Sequence, residues 1–314
     1  MTTKASAPGK IILLGEHAAV YGNPVLVATV DLRSYVTVSK RNDDKFVLNN
    51  PAVDVMNFKF EFSDIPRLRK KWNLALSAEA IYKTLRFIEE SAGLSIDINS
   101  DVPVSSGMGS SASIASALVF AISREMGHNL SKKEIARISW DIENIIHKKS
   151  SGVDPYAVTY GGIIRYQSGK CENVRIRECP EITIGNTGIR SDTGEIVSDV
   201  MKLKNKFPGF FEKYLEIMKE IVDYGQRFLE SGDMEGFGQV MNINHGLLSA
   251  IGVSSPELEK LVWASRKKSP GAKLCGAGRG GIMIAIGDVA NEIEKVGGQV
   301  IKTRISRDGV RLEN

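Results

Sequence analysis

Cysteine is scarce in this 314-residue chain. Cys171, Cys179 and Cys275 leave an odd thiol under any pairing and have no metal-ligand spacing. That argues against a disulfide framework or a zinc site and for a reducing compartment. No apolar run is long enough to span a bilayer, and the opening MTTKASAPGK lacks the apolar stretch of a secretory signal. The expectation is a cytoplasmic protein with no membrane partner. A surplus of one charge is missing too: acids and bases are interspersed, and the formal net charge is only +4. This leaves no electrostatic footprint for nucleic acid. The short basic runs Arg67-Leu68-Arg69-Lys70-Lys71 and Arg266-Lys267-Lys268 read as solvated faces. Internal repeats and low-complexity segments are also absent.

What is present is an ordinary globular composition, 42% apolar and 25% charged, in a chain long enough for two domains. KIILL reads as a strand, PVLVATVDLRSYVTVSK as two strands split near Asp31-Leu32-Arg33, and FVLNN and FKFEF as two more. An amphipathic helix is expected from Leu74 to Ala92. A second helix, opened by a Ser131/Glu134 capping box, runs to about His147. SSGVDPYAVTYGG reads as a loop and GIIRYQ as a strand. After the strand EITIG, helical periodicity dominates over roughly Gly194 to Asn205, Phe211 to Glu230, Met234 to Ala250 and Pro256 to Lys267. AKLCG, IMIAI, a short helix from Val289 and QVIKT close the chain. The fold class is α+β: a β-rich domain over 1–180, then a helical domain over 181–314.

One stretch organises the rest: Pro103-Val104-Ser105-Ser106-Gly107-Met108-Gly109-Ser110-Ser111-Ala112-Ser113. It follows the alternating strand LSIDINSDVPV and precedes an apolar helix, Ile114 to Met126, without Gly or Pro. Its glycines and serines therefore sit at a helix N-terminus, where backbone N–H groups lack partners and the dipole is positive. An anion fits there, with the Ser110, Ser111 and Ser113 hydroxyls at hand for phosphate or magnesium. A plain Gly turn with a Ser cap fits equally well, and the stretch alone does not choose. No Gly-Lys-Ser/Thr ends it, so it is not a Walker A loop; APGK at 7–10 fails on the same ground.

Four polar groupings bear on the choice. Lys10 lies on an apolar strand beside Gly15-Glu16-His17; partly buried, it would need an anionic partner, whereas a strand-edge lysine would face water. Trp140, Glu143 and His147 share a helix face, where Glu143 would suit magnesium or, more simply, solvent. Ser151-Gly152-Val153-Asp154-Pro155 is either turn chemistry or a loop presenting a carboxylate to substrate. Gly276-Ala277-Gly278-Arg279-Gly280-Gly281 is either a hairpin turn or a backbone laid against a ligand.

Together these groupings resemble the GHMP kinase family across essentially the whole chain, and within it the branch that acts on mevalonate. KIILLGEHAAVYG is similar to the family's first motif, PVSSGMGSSAS to its second and KLCGAGRGGIMIA to its third. GEHAAVYG, IENIIH…SGVDPYAVTYGGIIRY and NHGLLSAIGVS narrow the resemblance to that branch. It implies a ribosomal-protein-S5-like N-terminal domain, a ferredoxin-like C-terminal domain, and ATP and Mg²⁺ as cofactors. It implies that Ser105, Ser106, Gly107, Met108, Gly109, Ser110 and Ser111 cradle the ATP phosphates, with Ser111 and Glu143 on magnesium. Asp154 is then the catalytic base beside Lys10, and Glu16, His17 and Gly278 lie toward the acceptor. The small-molecule acceptor implied is mevalonate, phosphorylated on its C5 hydroxyl. A homodimer is the oligomer kept in view.

Several residues depart from the family pattern. Met108 stands where Leu is usual, Cys275 where Thr is common, and Gly194 follows Thr193 where a basic residue is frequent. More telling are Arg279, in a usually all-glycine position, and Lys148 and Lys149 before the SGVD loop. Extra cations would suit an acceptor already carrying a phosphate, which makes mevalonate 3-phosphate the alternative substrate. A GHMP-fold binding protein without activity is the reading from another class; Lys10, Glu143 and Asp154 argue against it.

Overall fold

The computed structural model describes residues 2–103, 106–147 and 150–313, with only the backbone at 146 and 147. In chain order the strands and helices of the first part are β1 (Thr2–Leu14), β2 (Val25–Lys40), β3 (Phe46–Asn50), β4 (Val55–Phe60), α1 (Ile65–Leu68), α2 (Ala75–Phe87), β5 (Leu94–Ser100), α3 (Ser110–Glu125), α4 (Lys132–His147), α5 (Val153–Tyr160), β6 (Ile163–Gln167) and β7 (Lys170–Asn173). The second part has β8 (Ile182–Asn186), α6 (Thr193–Lys206), α7 (Pro208–Ser231), α8 (Met234–Ala250), α9 (Pro256–Ser265), β9 (Ala272–Cys275), β10 (Ile282–Ile286), α10 (Ala290–Lys295), β11 (Gln299–Ile301) and β12 (Arg311–Leu312). Among the described residues no helix is long and apolar enough to cross a membrane.

Two sheets carry the α+β architecture. The first runs β12-β1-β2-β5-β3-β4, with β6 and β7 continuing from the first part of β2. Its pairs are antiparallel except β3 with β5. The second runs β11-β8-β10-β9, all antiparallel. Numbered within that sheet the order is 4-1-3-2, the ferredoxin-like pattern, with α6 to α9 filling one crossover and α10 the other.

One core packs α2, α3 and α4 against the first sheet, through residues such as Ile96, Leu118 and Ile142. Another joins Ile11, Leu13 and Leu26 of β1 and β2 to Met218 and Val222 of α7 and to Ile284 of β10. The two sheets therefore share buried apolar surface, and β1 runs through the middle of it. The chain end returns to the first sheet, where β12 pairs with β1 at Ala5↔Leu312.

Three local expectations change. Val25–Lys40 is one strand, because β1 pairs with it on both sides of a bulge at Asp31-Leu32. Residues 304–306 satisfy the bulged backbone: Asp31 N–H donates to Arg304 O at 3.0 Å and Ser306 N–H to Thr29 O at 2.8 Å. The helix expected to reach Ala92 ends at Phe87, two residues before Glu89 takes a positive φ of 57°. The SGVDPYAVTY stretch is a helix, not a loop. Val153 and Ala157 on its inner face are buried with Ile164 and Tyr166 of β6. Pro155 sits in its first turn, where no amide donor is required.

Candidate active site

Lys10 enters the interior from the centre of β1. Its Nζ lies 3.1 Å from Asp154 Oδ2 and donates to the Gly107 carbonyl at 2.9 Å. Its backbone N–H donates to Met108 O at 2.8 Å. One residue thus ties the first strand, the Gly/Ser loop and α5 together, and the strand-edge reading of Lys10 is excluded. Burial works to lower the Lys10 pKa, but the Asp154 carboxylate, helped by Cys275 and Glu143, outweighs it and leaves the group above its ordinary value. Asp154 stands in the first turn of α5 with its side chain 26% exposed, so the pair opens to solvent on the acid's side.

Directly above lies the N-terminus of α3. Gly109 caps it at φ +73°, and a Cβ there would come within 2.9 Å of Lys10 Cγ and 3.4 Å of Asp154 Oδ2. Only glycine allows the loop to press this closely on the pair. Ser111 is exposed on the first turn and Ser110 is half-buried. Ser113 is lost as a phosphate contact, since its buried hydroxyl donates to Ala7 O at 2.7 Å. Ser106 stiffens the loop, donating from its hydroxyl to Pro103 O at 2.8 Å. Met108 is fully buried in the shared core, which explains an apolar residue between two glycines. Ser105 lies outside the described residues, as do Lys148 and Lys149.

Glu143 faces the same spot from α4. Burial, and then the charge of Asp154 nearby, push its carboxyl up to about 8, while Ser150 and Lys10 pull the other way. The Ser150 hydroxyl donates to Glu143, and the Ser150 carbonyl accepts from Trp140 Nε1 at 3.1 Å. The face shared by Trp140 and Glu143 is therefore real, and both residues fix the segment leading to Asp154.

The glycine-rich loop 276–281 closes the other side. A Cβ on Gly276 would stand 3.9 Å from Gly107 Cα, and one on Gly281 3.6 Å from Ser106 O, so the two glycine loops lie face to face. His17, buried at a positive φ of 59°, is bonded through Nε2 to Ala277 O at 2.9 Å. A carbonyl only accepts, so Nε2 carries the proton. Burial, with Arg279 adding to it, holds the His17 pKa below its ordinary value despite that carbonyl. Gly278 packs against Val253, with no room for a Cβ. Arg279 itself is engaged: its guanidinium meets Asp199 of α6 at 2.6 Å and donates to Gly252 O at 3.1 Å.

Glu16 pairs with Lys273 of β9, and both side chains are fully buried. Burial pushes the Glu16 carboxyl up, opposed chiefly by that lysine. Asn244 of α8 accepts from Gly15 N–H at 3.0 Å, and His245 Nδ1 accepts from Leu274 N–H at 3.2 Å. Sequence reasoning missed Lys273, Asn244, Ser150 and Asp199. A lysine inside the apolar strand AKLC was the same signal that singled out Lys10.

The chain matches the GHMP kinases N terminal domain over residues 74–162 and GHMP kinases C terminal over residues 226–303. It belongs to the GHMP kinase family, kinases that draw their phosphoryl group from ATP. Its full-length similarity runs to enzymes named mevalonate kinase. That of Pyrococcus horikoshii is 37% identical over 327 aligned residues, covering 98% of this chain and 97% of the relative. The solved Methanococcus jannaschii mevalonate kinase is 28% identical with a TM-score of 0.83, covering 97% of this chain and 98% of its own. The L. major mevalonate kinase, solved in complex with R-mevalonate, is 28% identical with a TM-score of 0.77, covering 98% and 96%.

Proposed function

We propose that this chain transfers the γ-phosphate of ATP to the C5 hydroxyl of mevalonate. The observation that carries the reading is the Lys10–Asp154 pair set 3.1 Å apart beneath the N-terminus of α3. Phosphoryl transfer needs positioning and charge neutralisation more than covalent help. The N–H groups of Gly109, Ser110 and Ser111, unpartnered among the described residues, would meet the phosphates, and the α3 dipole favours their charge. Asp154 takes the proton of the C5 hydroxyl as that oxygen attacks the γ-phosphorus and ADP departs. Lys10, 3.1 Å from Asp154, holds that carboxylate in place and balances charge on the transferred group.

The donors present fit magnesium. Two carboxyls, Glu143 and Asp154, face one ammonium, and burial, then the Asp154 charge, pushes Glu143 toward its neutral form, a cost that a bound cation would offset. Magnesium usually takes one or two carboxylates plus phosphate oxygens. Among the described residues no three His, Cys, Asp or Glu side chains converge, so Glu143, the Ser111 hydroxyl and the nucleotide would hold the ion. It would neutralise the phosphate charge.

At the acceptor end we place His17 and the 276–281 loop, the Nδ1 of His17 being the acceptor left by its bond to Ala277, while Glu16, fully buried on Lys273, fastens the turn that carries His17. The reading divides the chain into an ATP-binding part, 1–180, and a second part, 181–314, and with a small hydroxy acid and ATP as reactants it places the enzyme in the cytoplasm. Arg279 is committed to Asp199, which favours mevalonate over its 3-phosphate. The test is purified protein with ATP, Mg²⁺ and either acceptor, followed by ADP release. Turnover with mevalonate is expected; turnover with the 3-phosphate alone would overturn the assignment.

A further inference from the structure

Arg279 occupies a backbone position that glycine would take more easily. Its φ is +50°, in the left-handed region where a Cβ is crowded. Its loop otherwise meets that demand with glycine: Gly276, Gly278, Gly280 and Gly281 all have positive φ. A side chain kept at such a place, beside an active site, points to a side chain that is used.

The contacts of Arg279 show how it is held. Its N–H donates to Val253 O at 2.8 Å and its Nε to Gly252 O at 3.1 Å. Nη1 donates to Asp199 of α6 at 2.6 Å. Nη2 has no hydrogen-bond partner among the described residues, and the side chain is 37% exposed. Asp199 in turn faces Lys202 at 3.0 Å with its other oxygen. Arg279, and then Lys202, hold its carboxyl below the ordinary value, so it is ionised at neutral pH. The acceptor end is close by. Two residues back along the loop, Ala277 O takes the His17 bond, and the Arg279 charge helps to hold the His17 pKa down. A phosphate brought to this guanidinium would find a carboxylate already on it, and like charges side by side repel.

We propose that Asp199 is a specificity-determining residue: by holding Arg279 it denies a grip to acceptors that carry a phosphate and leaves the site to the unphosphorylated hydroxy acid. Asp199 acts through Arg279 and touches neither reactant. Selection of this kind comes from a repelled charge in the wrong complex, not from a better contact in the right one. An ion pair this exposed adds little to stability, so its removal is tolerated by the fold. The inference rests on the acceptor end proposed above.

Calorimetric titration with mevalonate and with mevalonate 3-phosphate tests it, on the parent, Asp199→Asn, Arg279→Gly and the double variant. Circular dichroism serves as the control for folding. Asp199→Asn should bind the 3-phosphate about tenfold more tightly than the parent does, the size of one charge-assisted hydrogen bond gained. Its KM for mevalonate and for ATP should move less than about threefold. Arg279→Gly, at ease with the backbone there, should remove the gain in the double variant. An unmoved 3-phosphate affinity in Asp199→Asn, equal gains for both acceptors, or a gain that survives Arg279→Gly overturns the proposal. Failure of the parent to turn over mevalonate would count instead against the function proposed above, and the binding ratio is read independently of it.

Discussion

Two buried lysines, one in each sheet, meet a carboxylate from a distant part of the chain. Lys10 of β1 meets Asp154 across 3.1 Å, with the acid 26% exposed. Lys273 of β9 meets Glu16, with both side chains fully buried. The chemistry of the pairs is alike and their surroundings are not. Asp154 opens toward the α3 N-terminus and solvent, so its charge is available to a reactant. Glu16 and Lys273 are sealed where the two sheets meet, so their charges serve each other. A buried ion pair of the second kind is weak evidence of added stability, yet breaking it leaves an uncompensated charge. Solvent access separates a working pair from a fastening one.

The sharpest way to break the comparison is Asp154→Ala. It is expected to lower kcat by roughly 10²–10⁴-fold, the range for a positioned general base, while calorimetry still detects ATP binding. Near-normal kcat would remove Asp154 from the chemistry. Next in size is Lys273→Met, expected to lose about 3–5 kcal/mol of stability in urea unfolding, with Lys273→Met/Glu16→Leu recovering much of it. Smaller again is Gly109→Ala. A side chain at φ +73° loses roughly 1–2 kcal/mol, and its Cβ would press on Lys10 at 2.9 Å. The KM for ATP should rise more than stability falls.

Glu143 gives the most delicate test. Its carboxyl is raised from 4.5 to about 8, so between those values the folded protein holds a proton that the unfolded chain releases. Stability of the nucleotide-free protein therefore declines as pH rises through that window. Mg²⁺–ATP binding near neutral pH should release up to one proton, read as a buffer-dependent heat, and Glu143→Gln should abolish it.

The same comparison shows what could be read in advance. Helices α6 to α9 were legible because their apolar residues repeat at helical spacing over long spans. The Gly/Ser stretch was legible as a helix start, and the motif order brought Asp154 and Lys10 to it. The Val153–Tyr160 helix was hidden by Gly152 and Pro155, which read as turn residues although they only begin a helix. The bulge at Asp31-Leu32 looked like a strand end because its partners, residues 304–306, come from the far end of the chain. Lys273 was missed for a similar reason: Glu16 lies 257 residues away, and no local pattern announces such a pairing. Arg279, which looked free for a substrate phosphate, has its partner Asp199 on a helix 80 residues earlier.

The account stands most directly on matched truncations, Lys10→Met and Lys273→Met, with kcat and unfolding free energy measured for each. The first should lose turnover and keep its stability, because Asp154 can turn to water. The second should lose stability and keep most of its turnover under conditions where it stays folded. The reverse pattern, or equal losses of both kinds in both variants, would contradict the distinction between the two pairs.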